Sequence, residues 1–182
     1  MKNHYLCIDF EMLCNESGML RKAGTIIEIG ACIVDEEGVV ARFDTYVLPQ
    51  GKNQLNGFTK KFLSIDEESF LQEAVTFEQA MIELDKWATP YLSKLAGWIT
   101  WDDKDIRKIK ESYRVTKCKA PRALRTAYID AQASYCFKNY IYERISLNDA
   151  LANSGVTHSY KTHRALDDAL KLALILPYCT GN

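Results

Sequence analysis

The stretch His4–Glu11, HYLCIDFE, constrains this chain more than any other. It is apolar enough to be a buried β-strand, and it closes on Asp9 and Glu11. Residues two apart on a strand share a face, so both carboxylates stand on one side and Ile8 and Phe10 on the other. Two acids at the end of an apolar run repel each other and lose hydration, and a cation between them relieves both costs. Hard oxygen ligands at that spacing suit Mg²⁺ or Mn²⁺. The alternative is a strand that simply runs out into solvent on polar residues.

The rest of the composition bounds the answer without choosing it. A chain of 182 residues is long enough for one domain with a sizeable core, and a single domain over residues 1–182 is expected. Hydrophobic content of 47% beside 26% charged residues is ordinary for a globular protein. No apolar run approaches the ~18 residues of a membrane span. The opening MKNHYL has no apolar signal segment, so a cytoplasmic protein with no membrane partner is expected. The six cysteines, Cys7, Cys14, Cys32, Cys118, Cys136 and Cys179, form no CxxC pair and read as reduced thiols in apolar surroundings. Net charge is −1, which argues against wholesale polyanion binding. Its distribution is uneven. Nine Lys or Arg lie between Lys104 and Arg125 against Asp105 and Glu111, whereas seven acids face one Lys between Asp66 and Lys86. The basic stretch could attract phosphates, or be a solvated helix face.

Periodicity orders the elements. Ile26–Val34 is β-branched and predicts a second strand, Asp35–Gly38 a turn, and Val39–Leu48 a third strand, which gives a hairpin. A polar loop spans Pro49–Gly57, and Phe58–Phe70 reads as two short helical pieces. Thr76–Leu92 has helical apolar spacing, Leu95–Thr100 reads as a short buried strand, and Asp102–Tyr113 as an amphipathic helix. Leu124–Ile129 is the candidate fifth strand. Helices are predicted over Ala131–Tyr142, Ser146–Asn153 and His163–Tyr178. Strands followed by alternating helices and strands imply an α/β or mixed-sheet domain.

Two further groups of acids stand out. In the last predicted helix Ala165, Ala169, Leu172, Ala173 and Leu176 form the buried stripe, and Asp168 falls on it. A carboxylate there needs a partner, either a cation or a hydrogen bond to another segment. Asp167 points away from the stripe, with Lys171 four residues on as its expected surface partner. His163 stands five residues before Asp168, at the helix start. In Trp101-Asp102-Asp103-Lys104-Asp105, periodicity does not choose among the acids. Asp102 is the candidate helix cap. Glu28, inside an apolar strand, reads either as support for the acidic pair or as an edge residue.

IDFE, WDDKD and HRALDDA, in that order, resemble the three motifs of the DEDDh (DnaQ-like) 3′–5′ exonucleases. TWDDKDI, similar to a TWGxxD pattern, and FLSI at Phe62–Ile65, similar to FLGI, resemble the branch that holds the histone-mRNA 3′ exonuclease and the bacterial KapD-like proteins. The likeness runs from Tyr5 to about Leu176. Ser64 departs from the usual Gly. The resemblance implies a ribonuclease H-like α/β fold, a five-stranded mixed sheet with its second strand antiparallel, flanked by α-helices. It implies that Asp9, Glu11, Asp105 and Asp168 ligate two Mg²⁺ or Mn²⁺ ions and that His163 is the general base. An imidazole, which titrates near neutrality, suits that work.

The activity implied by the resemblance is that of a metal-dependent hydrolase that shortens single-stranded RNA or DNA from the 3′ end, RNA favoured, and releases nucleoside 5′-monophosphates. Phe10, Met12, Leu63 and Trp101 are the candidate contacts to the last nucleotides, and for each of them core packing is the competing role. No accessory nucleic-acid domain is evident, which leaves room for a separate targeting protein. The rival reading is a slow or inactive DEDDh domain that acts by binding nucleic acid or protein. The presence of all five active-site residue types speaks against it.

Overall fold

A computed structural model describes residues 3–19, 25–51 and 54–179. Residues 52 and 53 of the Pro49–Gly57 loop, and residues 1–2, 20–24 and 180–182 of the predicted domain, lie outside the described residues. In chain order the elements are β1 (His4–Met12), β2 (Cys14–Asn15), β3 (Gly18–Met19), β4 (Ile26–Asp35), β5 (Gly38–Tyr46), α1 (Gly57–Phe62), α2 (Glu67–Glu73), α3 (Phe77–Ala88), β6 (Leu95–Thr100), α4 (Asp103–Thr116), β7 (Ala127–Asp130), α5 (Ala131–Lys138), α6 (Leu147–Asn153) and α7 (Ala165–Cys179), with 3₁₀ turns at Thr89–Lys94 and Arg122–Arg125.

The main sheet runs β5-β4-β1-β6-β7. β4 is antiparallel to both β1 and β5, whereas β1, β6 and β7 are parallel. This is the expected five-stranded mixed sheet with its second long strand antiparallel. β1 lies in the middle, and its alternation decides what each face can hold. Leu6, Ile8, Phe10 and Met12 enter one core with Phe77, Met81 and Leu84 of α3 and Ile109 of α4. Cys7 enters the other core, with Tyr135 of α5, Leu151 of α6 and Leu172 and Ile175 of α7. Asp9 and Glu11 continue the Cys7 row, so they face α7. A third, smaller cluster of Leu13, Ile27, Leu63, Ile65 and Phe70 sits under α1 and α2. Among the described residues no helix is long and apolar enough to cross a membrane.

Most boundaries that differ from the sequence pattern have a local cause. The predicted Thr76–Leu92 helix stops at Ala88 and tightens into a 3₁₀ turn, because Pro90 has no N–H to continue the α-helical ladder. The predicted fifth strand begins later, at Ala127, after Arg122–Arg125 has coiled into a 3₁₀ turn. α5 ends at Lys138 rather than Tyr142, with Tyr140 in a left-handed conformation at φ 56°. The last helix begins at Ala165, two residues beyond His163, which sits at φ 62° and so cannot continue a helix backward. The β2–β3 ribbon has no counterpart in the sequence reading; its turn is tied by Ser17 N donating to Asn15 Oδ1 at 3.0 Å. Asp102 does cap α4, accepting from Lys104 N at 2.8 Å.

One close approach fixes α7 on the sheet. A Cβ at Gly30 would overlap the backbone of Ala165 and Leu166, so only glycine lets the helix start rest directly on β4. Gly30→Ala is expected to cost about 3 kcal/mol or more, since the clash is with backbone and cannot be relieved by a rotamer change. Urea unfolding reads this directly, and an unchanged midpoint would contradict the contact.

Candidate active site

The acids converge where the carboxyl end of β1 meets the beginning of α7. Oxygens of Asp9, Glu11 and Asp168 all lie within 4.8 Å of one another, and the three residues are partly exposed. Asp9 and Glu11 come together through the two-residue repeat of β1. Asp168 joins them because α7 packs its first turn against β1 and β4. Asp105, one turn into α4 and buried, stands outside this triplet of oxygens. After burial itself, its charge is the largest influence raising Asp9.

Like charges crowded in a poorly hydrated place resist ionisation. Burial, then Asp105, Glu11 and Asp168, push Asp9 well above the ordinary carboxylate range. Burial, followed by the charges of Asp168 and Glu28, pushes Glu11 up to about 8, although Arg164 and Lys171 pull the other way. Asp105 is raised by burial and then by Asp102 and Glu11. Carboxylates whose ionisation is opposed in this way fit divalent cations, whose charge removes the repulsion that folding creates.

Asp168 is held on both oxygens. Oδ2 accepts from the backbone N–H of His163 at 3.2 Å, and Oδ1 from Lys171 Nζ at 2.8 Å. Lys171 overturns the expectation of a surface pair with Asp167. It is wholly buried, and its stem runs back toward the helix N-terminus, as helical side chains do, to reach Asp168 three residues earlier. Asp167 instead accepts from the Lys161 backbone N–H at 3.0 Å. Glu28 is not at an edge. It lies on β4 between β1 and β5 and is fully buried; Arg164 Nε donates to its Oε1 at 3.0 Å.

A cleft of about 340 Å³ opens beside Glu11, lined by Phe10, Met12, Cys14, Asn15, Glu16, Phe58 and Phe62. The rings of Phe58 and Phe62 stack with centroids 5.9 Å apart and an interplanar angle of 11°. Phe62 also touches the imidazole of His163, with centroids 4.3 Å apart. Of the four residues expected beside nucleotides, Phe10 and Met12 line this cleft, whereas Leu63 and Trp101 do not. Leu63 belongs to the small cluster under α1. Trp101 packs on Tyr135 and donates its indole N–H to the Ile145 carbonyl at 3.2 Å, so its bulk is spent in the core. Phe58 was not singled out from the sequence, and Phe62 entered only as the first residue of FLSI. Their signal was an i, i+4 aromatic pair whose neighbour Leu63 takes the buried position. Part of the basic stretch is paired: Lys104, Arg107, Lys108 and Arg122 meet Asp102, Asp103, Glu111 and Asp85.

The sequence profile of the exonuclease family matches residues 6–176. The chain belongs to that exonuclease family. Among curated relatives, mouse ERI1 exoribonuclease 2 is 25% identical over 94% of this chain and 28% of its own length. The 3′-5′ exonuclease Snipper of Drosophila melanogaster is 24% identical over 96% of this chain and 68% of its own. This exonuclease domain therefore spans little more than a quarter of the mouse protein. Among solved structures, the nuclease domain of 3′hExo, a DEDDh family member bound to rAMP, superposes with a TM-score of 0.81 at 22% identity, covering 96% of this chain and 90% of that one. Cell-death related nuclease 4 gives 0.80 at 17% identity, over 96% and 62% of the two chains. These likenesses carry the ribonuclease H-like fold, and the DEDDh resemblance of the three motifs stands with them.

Proposed function

We propose that this exonuclease hydrolyses single-stranded nucleic acid from the 3′ end, RNA in preference to DNA, and releases nucleoside 5′-monophosphates. The observation that carries the reading is the convergence of Asp9, Glu11 and Asp168 within 4.8 Å, with the His163 backbone N–H tied to Asp168 and its ring against Phe62 of an open aromatic cleft. The preference for RNA rests on the mouse relative's name as an exoribonuclease and on the rAMP bound to the 3′hExo domain.

Asp9, Glu11, Asp168 and Asp105 would hold two Mg²⁺ or Mn²⁺ ions. Such ions supply positive charge to the reacting phosphate and make water acidic enough to attack near neutral pH. His163 takes the proton from that water as its oxygen forms the new bond to phosphorus. The bond from phosphorus to the 3′ oxygen of the penultimate nucleotide breaks, and that oxygen gains a proton to become the next 3′-OH. Phe58 and Phe62, above Phe10 and Met12, offer a face on which the terminal base stacks whatever its identity. Leu63 would act beneath that wall, and Trp101 beneath the turn that carries Asp105. Six unpaired cysteines suit a reducing compartment such as the cytoplasm. A separate targeting protein that selects the substrate is part of this proposal.

Incubation of 5′-labelled RNA and DNA of one sequence with Mg²⁺, Mn²⁺ or EDTA tests the activity. A metal-dependent ladder that shortens from the 3′ end supports it, with RNA degraded faster, and no cleavage with either metal would leave only a binding role. Phe58→Ala is expected to raise KM about tenfold, the lower part of the range for one base stack, with kcat within about twofold. An unchanged KM would remove the cleft from substrate binding.

A further inference from the structure

The acidic pair stands on two rungs that cross three strands. Glu11 faces Glu28, which faces Tyr46; Asp9 faces Gly30, which faces Asp44. Because side chains alternate along strands, Glu28 and Gly30 share the face that carries the acids. The missing side chain at Gly30 is the gap into which Ala165 and Leu166 settle. Glu28 grips the preceding residue. Its Oε1 accepts from Arg164 Nε at 3.0 Å, Arg164 Nη2 donates to the Tyr46 hydroxyl at 3.0 Å, and the guanidinium lies 5.6 Å from the Tyr46 ring centroid. One planar fork thus spans the outer two strands of a rung whose third member is Glu11.

This grip holds the turn before α7. His163 adopts a left-handed backbone at φ 62°, a conformation that costs a non-glycine residue about 1–2 kcal/mol. It persists only where its surroundings determine it. From one side Asp168 Oδ2 takes the His163 N–H, and from the other Arg164 is anchored to the sheet. The imidazole between them rests on Phe62.

We propose that Arg164, fixed by Glu28 and Tyr46, is a positioning residue for His163 that holds the imidazole against Phe62 before substrate arrives. This rests on His163 serving as the base of the proposed exonuclease. Arg164 hydrogen-bonds Glu28 and Tyr46 rather than the converging acids and does not line the cleft. Its charge reaches Glu11, and a lysine keeps that charge, so the substitution isolates its hold on the turn. A lysine retains the charge but not the fork, since its single nitrogen cannot serve Glu28 and Tyr46 together in this geometry.

The test compares Arg164→Lys with the parent, alone and in a His163→Ala background, and follows the His163 imidazole by NMR in metal-free protein. Arg164→Lys is expected to lower kcat about 10²-fold, the effect of a small misplacement of a reacting group, with KM within about twofold. In the His163→Ala background the same change should cost nothing further. The imidazole protons, which the Phe62 ring current is expected to displace, should move toward free-histidine positions. Equal losses with and without His163, or an unmoved imidazole signal, would overturn the proposal. Should Arg164→Lys fail to fold, Tyr46→Phe removes one anchor alone and should change kcat and the imidazole signal in the same directions by less. The NMR comparison does not depend on turnover, so it separates a failed positioning role from a failed exonuclease reading.

Discussion

Asp9→Asn is expected to abolish hydrolysis and, in the presence of EDTA, to make the protein more stable. The loss should be about 10³-fold or more, because several kcal/mol of charge stabilisation at the reacting phosphate depends on what Asp9 holds. The gain follows from crowding. Asp9 is raised by burial and by Asp105, Glu11, Asp168 and Glu28, all of one sign, so its charge opposes folding. A carboxamide of the same shape removes that charge. Relief of about 1 kcal/mol would raise the melting temperature by about 3 °C in a domain of this size. Saturating Mg²⁺ should reverse the order, stabilising the parent and leaving Asp9→Asn nearly unmoved. Melting curves at pH 8.5 with EDTA or Mg²⁺ decide it. A variant that melts below its parent in EDTA would mean that the Asp9 carboxylate is favourably paired in the metal-free fold.

A second large effect should appear in the pH dependence of stability. Glu11 titrates at about 8 and Glu28 at about 7 in the folded chain, against about 4.3 for an unperturbed Glu. Between those limits the folded protein retains protons that the unfolded chain has released, so rising pH favours unfolding. Stability of the metal-free protein should therefore fall by several kcal/mol from about pH 4.5 to pH 8. The opposite sign governs the acid side. Asp85 is lowered, chiefly by its hydrogen bond from Arg122, so that contribution is present above about pH 4 and is lost as pH drops through the lowered value. Divalent cations compete with protons for the same oxygens, so the rise in melting temperature on adding Mg²⁺ should grow between pH 6 and pH 8. A rise independent of pH over that range would place the ion elsewhere.

The parts of this site that could be read in advance are those written at short range. Asp9 and Glu11 share a strand face because of a two-residue repeat, and Asp102 caps α4 because the helix start needs an acceptor. Asp168 falls on the apolar stripe of α7 by counting threes and fours. The parts that could not be read depend on what lies across the fold. Lys171 occupies a position that looks solvent-facing on an isolated helix, yet α7 is covered by the sheet on one side and by α5 and α6 on the other. Arg164 meets Glu28 across 136 residues of sequence, and no local period announces it. Trp101 and Leu63 were ambiguous between base and core, and both side chains are buried. Phe58 and Phe62 were exposed by the same choice, since α1 has one buried side and Leu63 fills the position next to it.

Catalytic floor and aromatic wall rest on different foundations. The acids stand on β1 and α7, packed over the larger cores, whereas α1 is seated on the small cluster of Leu13, Ile27, Leu63, Ile65 and Phe70. Leu63, Ile65 and Phe70 of that cluster come from α2 and the turn that joins α1 to it, rather than from the strand that carries Asp9 and Glu11. Substitutions at these three positions can therefore tilt the aromatic wall while the strands beneath the acids keep their own packing.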